Sequence, residues 1–70
     1  MQLSFQDENI LKQVINNCNK VTKEFHLSSP DFSYEEMESL ETEGYVQHLS
    51  QKYMENISGY ITNKGLSYFH

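Results

Sequence analysis

At Gly44 the apolar pattern of this 70-residue chain changes period. Before it, apolar side chains recur at three- and four-residue intervals, as on amphipathic helices. After it they alternate, as on half-buried strands. A single change of period, at a residue that tolerates positive φ, reads as helices feeding a β-hairpin. Length holds the reading to one domain over residues 1–70, and a chain this short hides only about 60% of its unfolded surface. Its one cysteine, Cys18, has no partner for an internal disulfide. Four Phe, five Tyr and the aliphatic set must therefore supply the core.

The first helix is expected over residues 5–17. Ser4 and Asp7 have the spacing of a capping box, and Asp7 and Glu8 sit where the helix dipole favours acid. Ile10, Leu11, Val14, Ile15 and Cys18 make one apolar stripe, and the run Asn16-Asn17-Cys18-Asn19 ends it. Residues 20–27 read as a second, shorter helix with Val21 and Phe25 four apart, or as a short strand, because Val and Thr are mediocre helix formers. The third helix is expected over residues 30–43, with Ser29 as cap and Pro30 at the first position. Ser33 with Glu36 offers an alternative start. Ser33, Met37, Leu40 and Gly44 line up as its inner face.

Beyond Gly44, residues 45–49 and 57–61 suit two antiparallel strands joined by a loop over 50–56. Thr62 then caps a last helix over residues 63–69, which would carry Leu66 and Phe69 to the core. The expected class is α+β, a winged helix-turn-helix of three helices, a two-stranded wing and a short C-terminal helix. Its expected core is Ile10, Leu11, Val14, Ile15, Met37, Leu40, Val46, Ile61, Leu66 and Phe69.

Two segments carry a resemblance. Leu40-Glu41-Thr42-Glu43-Gly44-Tyr45-Val46 looks like a recognition helix running into the first wing strand. Ile61-Thr62-Asn63-Lys64-Gly65-Leu66-Ser67-Tyr68-Phe69 looks like the second wing strand turning into a closing helix. Together they are similar to the YjcQ family of small winged-helix proteins from bacterial genomes and prophages. The resemblance implies the fold; such motifs recur across many winged-helix regulators, so function has to be argued from the surface. Within it, Gly65 implies a close approach of the closing helix to the sheet.

Charge is where this chain departs from a DNA-reading winged helix. Its net charge is −5, its five cations are all lysine, and it contains no arginine, the commonest reader of guanine edges. Residues 30–43 hold Asp31, Glu35, Glu36, Glu38, Glu41 and Glu43 and no lysine, so the negative excess falls on the helix that would enter a groove. There it would meet one phosphate charge per roughly 1.7 Å of duplex axis. Asp31, Glu35 and Glu38 follow at i, i+4 and i+7 on one outward face, with Tyr34 at the edge of the apolar side. They read either as a solvated face or as an acidic surface for a basic partner, including a protein whose DNA groove it occupies. The wing offers His48, Lys52, Tyr53 and Met54 for phosphate contact, and Lys12, Lys20 and Lys23 could add a weak basic patch.

Catalytic patterns are missing. His26, His48 and His70 have no ligand-like spacing with one another or with Cys18, so neither a metal nor a cofactor is expected. There is no glycine-rich phosphate loop. Cys18 lies on the apolar stripe and reads as a core thiol. No leader is evident at the start, no run approaches the roughly 20 apolar residues of a membrane span, and a reduced, cytoplasmic setting is expected. The leading expectation is a non-enzymatic regulator or inhibitor of phage or prophage type acting on a protein partner through Asp31, Tyr34, Glu35 and Glu38. Double-stranded DNA binding through the wing is the alternative, and a homodimer using exposed tyrosines is a third reading.

Overall fold

The computed structural model describes residues 3–53 and 55–69. The elements are α1 (Phe5–Asn16), β1 (Glu24–Ser28), α2 (Tyr34–Thr42), β2 (Val46–Lys52), β3 (Asn56–Ile61) and α3 (Asn63–Leu66). The strands form one antiparallel sheet in the order β1-β3-β2. Inward Phe25, Leu27, Val46, Ile57 and Ile61 share a core with Ile10, Leu11 and Val14 of α1 and Met37 and Leu40 of α2. The class is α+β, with three helices and a three-stranded antiparallel sheet.

The first helix begins as its sequence directs: Ser4 Oγ accepts from the Asp7 N–H at 3.2 Å. At its far end the Lys20 ammonium donates to the Ile15 carbonyl at 2.8 Å, satisfying an end group that the helix leaves unpaired. Ile10, Leu11 and Val14 are buried, while Ile15 is half-buried.

Residues 20–27 do not form a helix. Asn19 Oδ1 accepts from the Val21 and Thr22 N–H groups at 2.8 and 3.1 Å, a local turn that competes with helix. Lys23 sits at φ +67°, and the Asn19 N–H donates to the Glu24 carbonyl at 2.8 Å, so the chain doubles back. Val21, expected to share an inner face with Phe25, is 89% exposed at the turn, whereas Phe25 is buried. From Glu24 the period is two, with Phe25 and Leu27 inward and Glu24, His26 and Ser28 outward. The strand reading holds for this stretch, and the wing becomes two strands of a three-stranded sheet, with β1 paired to β3 through Phe25↔Gly59 and Leu27↔Ile57.

The second helix begins at Tyr34 rather than at Pro30. Ser33 Oγ accepts from the Glu36 N–H at 3.3 Å. Ser29 is still held by the sheet, because its N–H donates to the Glu55 carbonyl at 2.8 Å. Asp31 therefore precedes the helix. Of the expected inner face, Met37 and Leu40 are buried, and Ser33 and Gly44 at its two ends are not. Gly44, at φ +86°, closes the helix: its N–H donates to the Glu41 carbonyl and that of Tyr45 to the Leu40 carbonyl, each at 3.0 Å, the paired bonds of a Schellman cap.

The hairpin is longer than its hydrophobic run. Ser50, Gln51 and Lys52 continue β2 against Ser58, Ile57 and Asn56, so four residues of the expected loop over 50–56 belong to the strands. Register slips between Gln47 and Ser50, where β2 carries an extra residue opposite Gly59. His48, at φ +57°, marks that bulge.

The third helix is a single turn, with Thr62 Oγ1 accepting from the Gly65 N–H at 3.2 Å. Because it stops at Leu66, Phe69 is not carried inward and is 42% exposed, while Leu66 is half-buried. Tyr68 turns in instead, edge-on to Tyr45 at 5.4 Å between centroids.

Candidate functional site

The carboxylates of α2 divide into three directions. Glu36 and Ser39 face α1, where Gln6 Nε2 donates to Glu36 at 3.0 Å and Ser39 Oγ contacts Asp7 at 3.5 Å. Glu41 faces β2, where its carboxylate receives the Leu49 N–H at 3.5 Å. Glu35 and Glu38 point to solvent. The three-residue face expected from Asp31, Glu35 and Glu38 is therefore an i, i+3 pair on the helix, with an exposed Asp31 ahead of the cap.

Tyr34 has a partner of its own. It is half-buried, and its hydroxyl donates to the Leu49 carbonyl at 3.3 Å. Burial, and then the nearby carboxylates of Glu38 and Glu41, push its phenol above the usual range. It remains a neutral donor inside an acidic neighbourhood.

The hairpin positions are separated rather than gathered. His48 stands at the bulge with its ring edge-on to Tyr60 at 5.9 Å. Lys52 and Tyr53 lie at the turn, about 13 Å further along the strand at roughly 3.3 Å per residue. Both are exposed, Tyr53 by 84% at φ +57°. Met54 lies outside the described residues, as does His70.

The lysines are mostly occupied in holding the fold. Lys20 caps α1. Lys64 donates to the Glu43 carbonyl at 2.7 Å and lies over the Tyr45 ring at 4.6 Å. Lys23 bonds Asn63, and Lys12 lies 5.5 Å from the Phe69 ring centroid. The patch expected from Lys12, Lys20 and Lys23 is thus made of cations already engaged.

Cys18 is half-buried rather than in the core. Its thiol donates to the Ile15 carbonyl at 3.2 Å and receives the Lys20 ammonium at 3.4 Å. Among the described residues no group of three His, Cys, Asp or Glu side chains is placed to hold a metal, and no helix is long and apolar enough to cross a membrane. An open cleft of about 310 Å³ lies beside Phe32, Tyr34 and Ile57, rimmed by Ser29, Gln51 and Glu55.

Sequence reasoning passed over two arrangements. One is the pairing of Glu41 and Tyr34 with Leu49, which depends on a bulge that alternation alone does not reveal. The other is the meeting of the two motif segments. Thr62 Oγ1 donates to the carbonyls of Gly44 and Tyr45 at 2.6 and 3.0 Å, and the Thr62 N–H donates to Tyr45 at 3.1 Å. With Lys64 on Glu43, the end of β3 is bolted to the end of α2. Compared with known proteins, the chain matches no family model, no curated protein and no solved structure.

Proposed function

We propose that this chain is a non-enzymatic regulatory or inhibitory module of phage or prophage type that binds a basic protein partner through the outward side of α2. The observation that carries the reading is the segregation of usable charge: Asp31, Glu35 and Glu38 are exposed, while Lys20, Lys23 and Lys64 are bonded to backbone or amide groups. Complementary charge of this kind acts mainly on the association rate and on partner choice. The architecture is read as winged-helix-like with one helix replaced by the short segment between β1 and α2, and the meeting of the two motif segments supports that reading. A groove-reading helix is disfavoured because α2 would bring carboxylates towards phosphates.

The probes are a labelled oligo-arginine peptide and a labelled random-sequence duplex. Replacing Asp31 by Asn and Glu35 and Glu38 by Gln removes three charges at nearly constant size. Glu41 is left in place because it contacts Leu49. The expected result is salt-sensitive peptide association that the triple variant slows, with no duplex binding near physiological salt. Equal on-rates for the two proteins at low and moderate salt would retire the acidic surface. Sub-micromolar duplex affinity falling steeply with salt would replace it by DNA binding through Lys52, Tyr53 and His48.

A further inference from the structure

The open cleft of about 310 Å³ lies between the segment that joins β1 to α2 and the hairpin of β2 and β3. Ligand pockets run from about 300 to 1,000 Å³, so this one, at the small end, suits a single long side chain. Its floor is apolar: Phe32 and Ile57 are buried, and Pro30 and Tyr34 are half-buried. The Tyr34 ring is fixed there by the bond of its hydroxyl to the Leu49 carbonyl. Among the described residues that line the cleft, Glu55 alone is charged. The Ser29 hydroxyl donates to its carboxylate at 2.9 Å, and the Ser29 N–H donates to its carbonyl at 2.8 Å. Two bonds to one residue hold at the rim a carboxylate that would otherwise swing freely, and a group already in place costs less to order when a ligand arrives. Lys52, on the same hairpin, is exposed and does not line the cleft.

We propose that this cleft seats one arginine side chain of the protein partner, with Glu55 as its counter-ion. The proposal rests on the reading of the partner as basic and names the residue that anchors it. An apolar floor under a fixed carboxylate is complementary to a side chain with an apolar stem and a cationic head. The methylenes of arginine cover Phe32 and Ile57, and its guanidinium donates to Glu55 in a charge-assisted bond. Its flat face also suits the aromatic ring of Tyr34, which the compact, strongly hydrated ammonium of lysine does less well. A neutral side chain would leave the carboxylate unmatched, and an acidic one would be repelled. Tyr34 also begins α2, so the cleft and the exposed Glu35 are neighbours along the chain. One basic segment of the partner then meets both, with one arginine in the cleft and further cations on the outward side of α2.

The test is a nuclear magnetic resonance titration with a capped Gly-Arg-Gly peptide, the same peptide with citrulline for arginine, and the oligo-arginine peptide. Citrulline keeps the shape of arginine and removes its charge. The proteins are wild type, Glu55→Gln and the triple charge variant; Gln at 55 still accepts from the Ser29 hydroxyl. The expected result is saturable shifts at the Ile57 methyls and the amides of residues 29–34 when the arginine peptide is added. Citrulline and Glu55→Gln should each weaken binding by about tenfold or more. The triple variant should keep the cleft shifts, and it does so even if its on-rate for oligo-arginine equals that of wild type, an outcome that retires the acidic surface and leaves the cleft standing. Oligo-arginine binding with shifts confined to α2 overturns the cleft and leaves the acidic surface. Equal affinity for the arginine and citrulline peptides, or an arginine peptide that gives no saturable shift, also overturns the proposal. The citrulline comparison needs no variant, so it decides the matter even if Glu55→Gln does not fold.

Discussion

Replacing Gly65 by Ala separates two opposed effects at one position. On helix propensity alone, Ala in place of Gly inside a helix gains about 1 kcal/mol. The space at Gly65 says the opposite. A Cβ there would overlap the Tyr45 carbonyl oxygen and stand 2.8 Å from Ile61 Cγ1, where ordinary contact begins near 3.4 Å. The oxygen cannot simply retreat, because it accepts from the Thr62 N–H and from Thr62 Oγ1 at 3.1 and 3.0 Å. Relief means lifting α3 off the α2–β2 corner. Overpacking of this kind costs about 1–3 kcal/mol, and each strained hydrogen bond adds about 1 kcal/mol. The net expectation is a loss of about 1–3 kcal/mol, out of about 4–10 kcal/mol for a domain of this size. With an m-value near 1 kcal/mol/M, the urea midpoint followed by far-UV circular dichroism should fall by about 1–3 M. An unchanged or higher midpoint would refute the close approach and leave propensity as the controlling term.

Leu40→Ala should cost about 2–5 kcal/mol, because the side chain is fully buried; a thermal melt within a degree or two of wild type would show that the α2–sheet core is misassigned. At alkaline pH the relevant group is Tyr68, whose hydroxyl donates to Glu8 at 2.8 Å and accepts from the Leu3 N–H at 3.0 Å. Burial, and then the bond to Glu8, raise its phenol, so the fold holds this proton more tightly than the unfolded chain does. The stability it contributes is complete below the ordinary phenol value near 10 and is lost as pH rises through the higher folded value. Urea midpoints should therefore fall more steeply for wild type than for Tyr68→Phe above about pH 10, and parallel curves would show that this proton is not linked to folding.

The fold was legible where one side chain and one period decide the local structure. Ser4, Ser33 and Thr62 are caps that act on their own helices, and Gly44 ends a helix because only a residue at ease with positive φ closes the Schellman bonds. It was less legible where two rules of similar strength compete. Val21 and Phe25 fit a helical face, and Phe25 and Leu27 fit a strand equally well. The choice was made by Asn19, whose side chain bonds the next turn, and by the free edge of β3, which no residue within 20–27 announces. Ser29-Pro30 likewise has the composition of a helix start, yet Ser29 is claimed by Glu55, which lies just ahead of β3 and is a partner 26 residues away.

The surface was legible in its charge and not in its use of that charge. Counting acids along residues 30–43 finds the negative helix, but Glu36, Glu41, Glu35 and Glu38 differ only in which neighbour they face, and that depends on where α1 and β2 pack. The same holds for Tyr34. At the edge of an apolar stripe it has the profile of an exposed anchor, and it becomes a half-buried donor only because a bulge at His48 turns the Leu49 carbonyl towards it. A bulge is a mismatch of length between two strands, and so has no signature within either one. The residues of α2 that meet solvent and those that seal a strand edge are interleaved on one helix. For this reason the triple charge variant leaves Tyr34 and Glu41 on Leu49, so that a change in association reads the solvent-facing carboxylates and not the packing of α2 on β2.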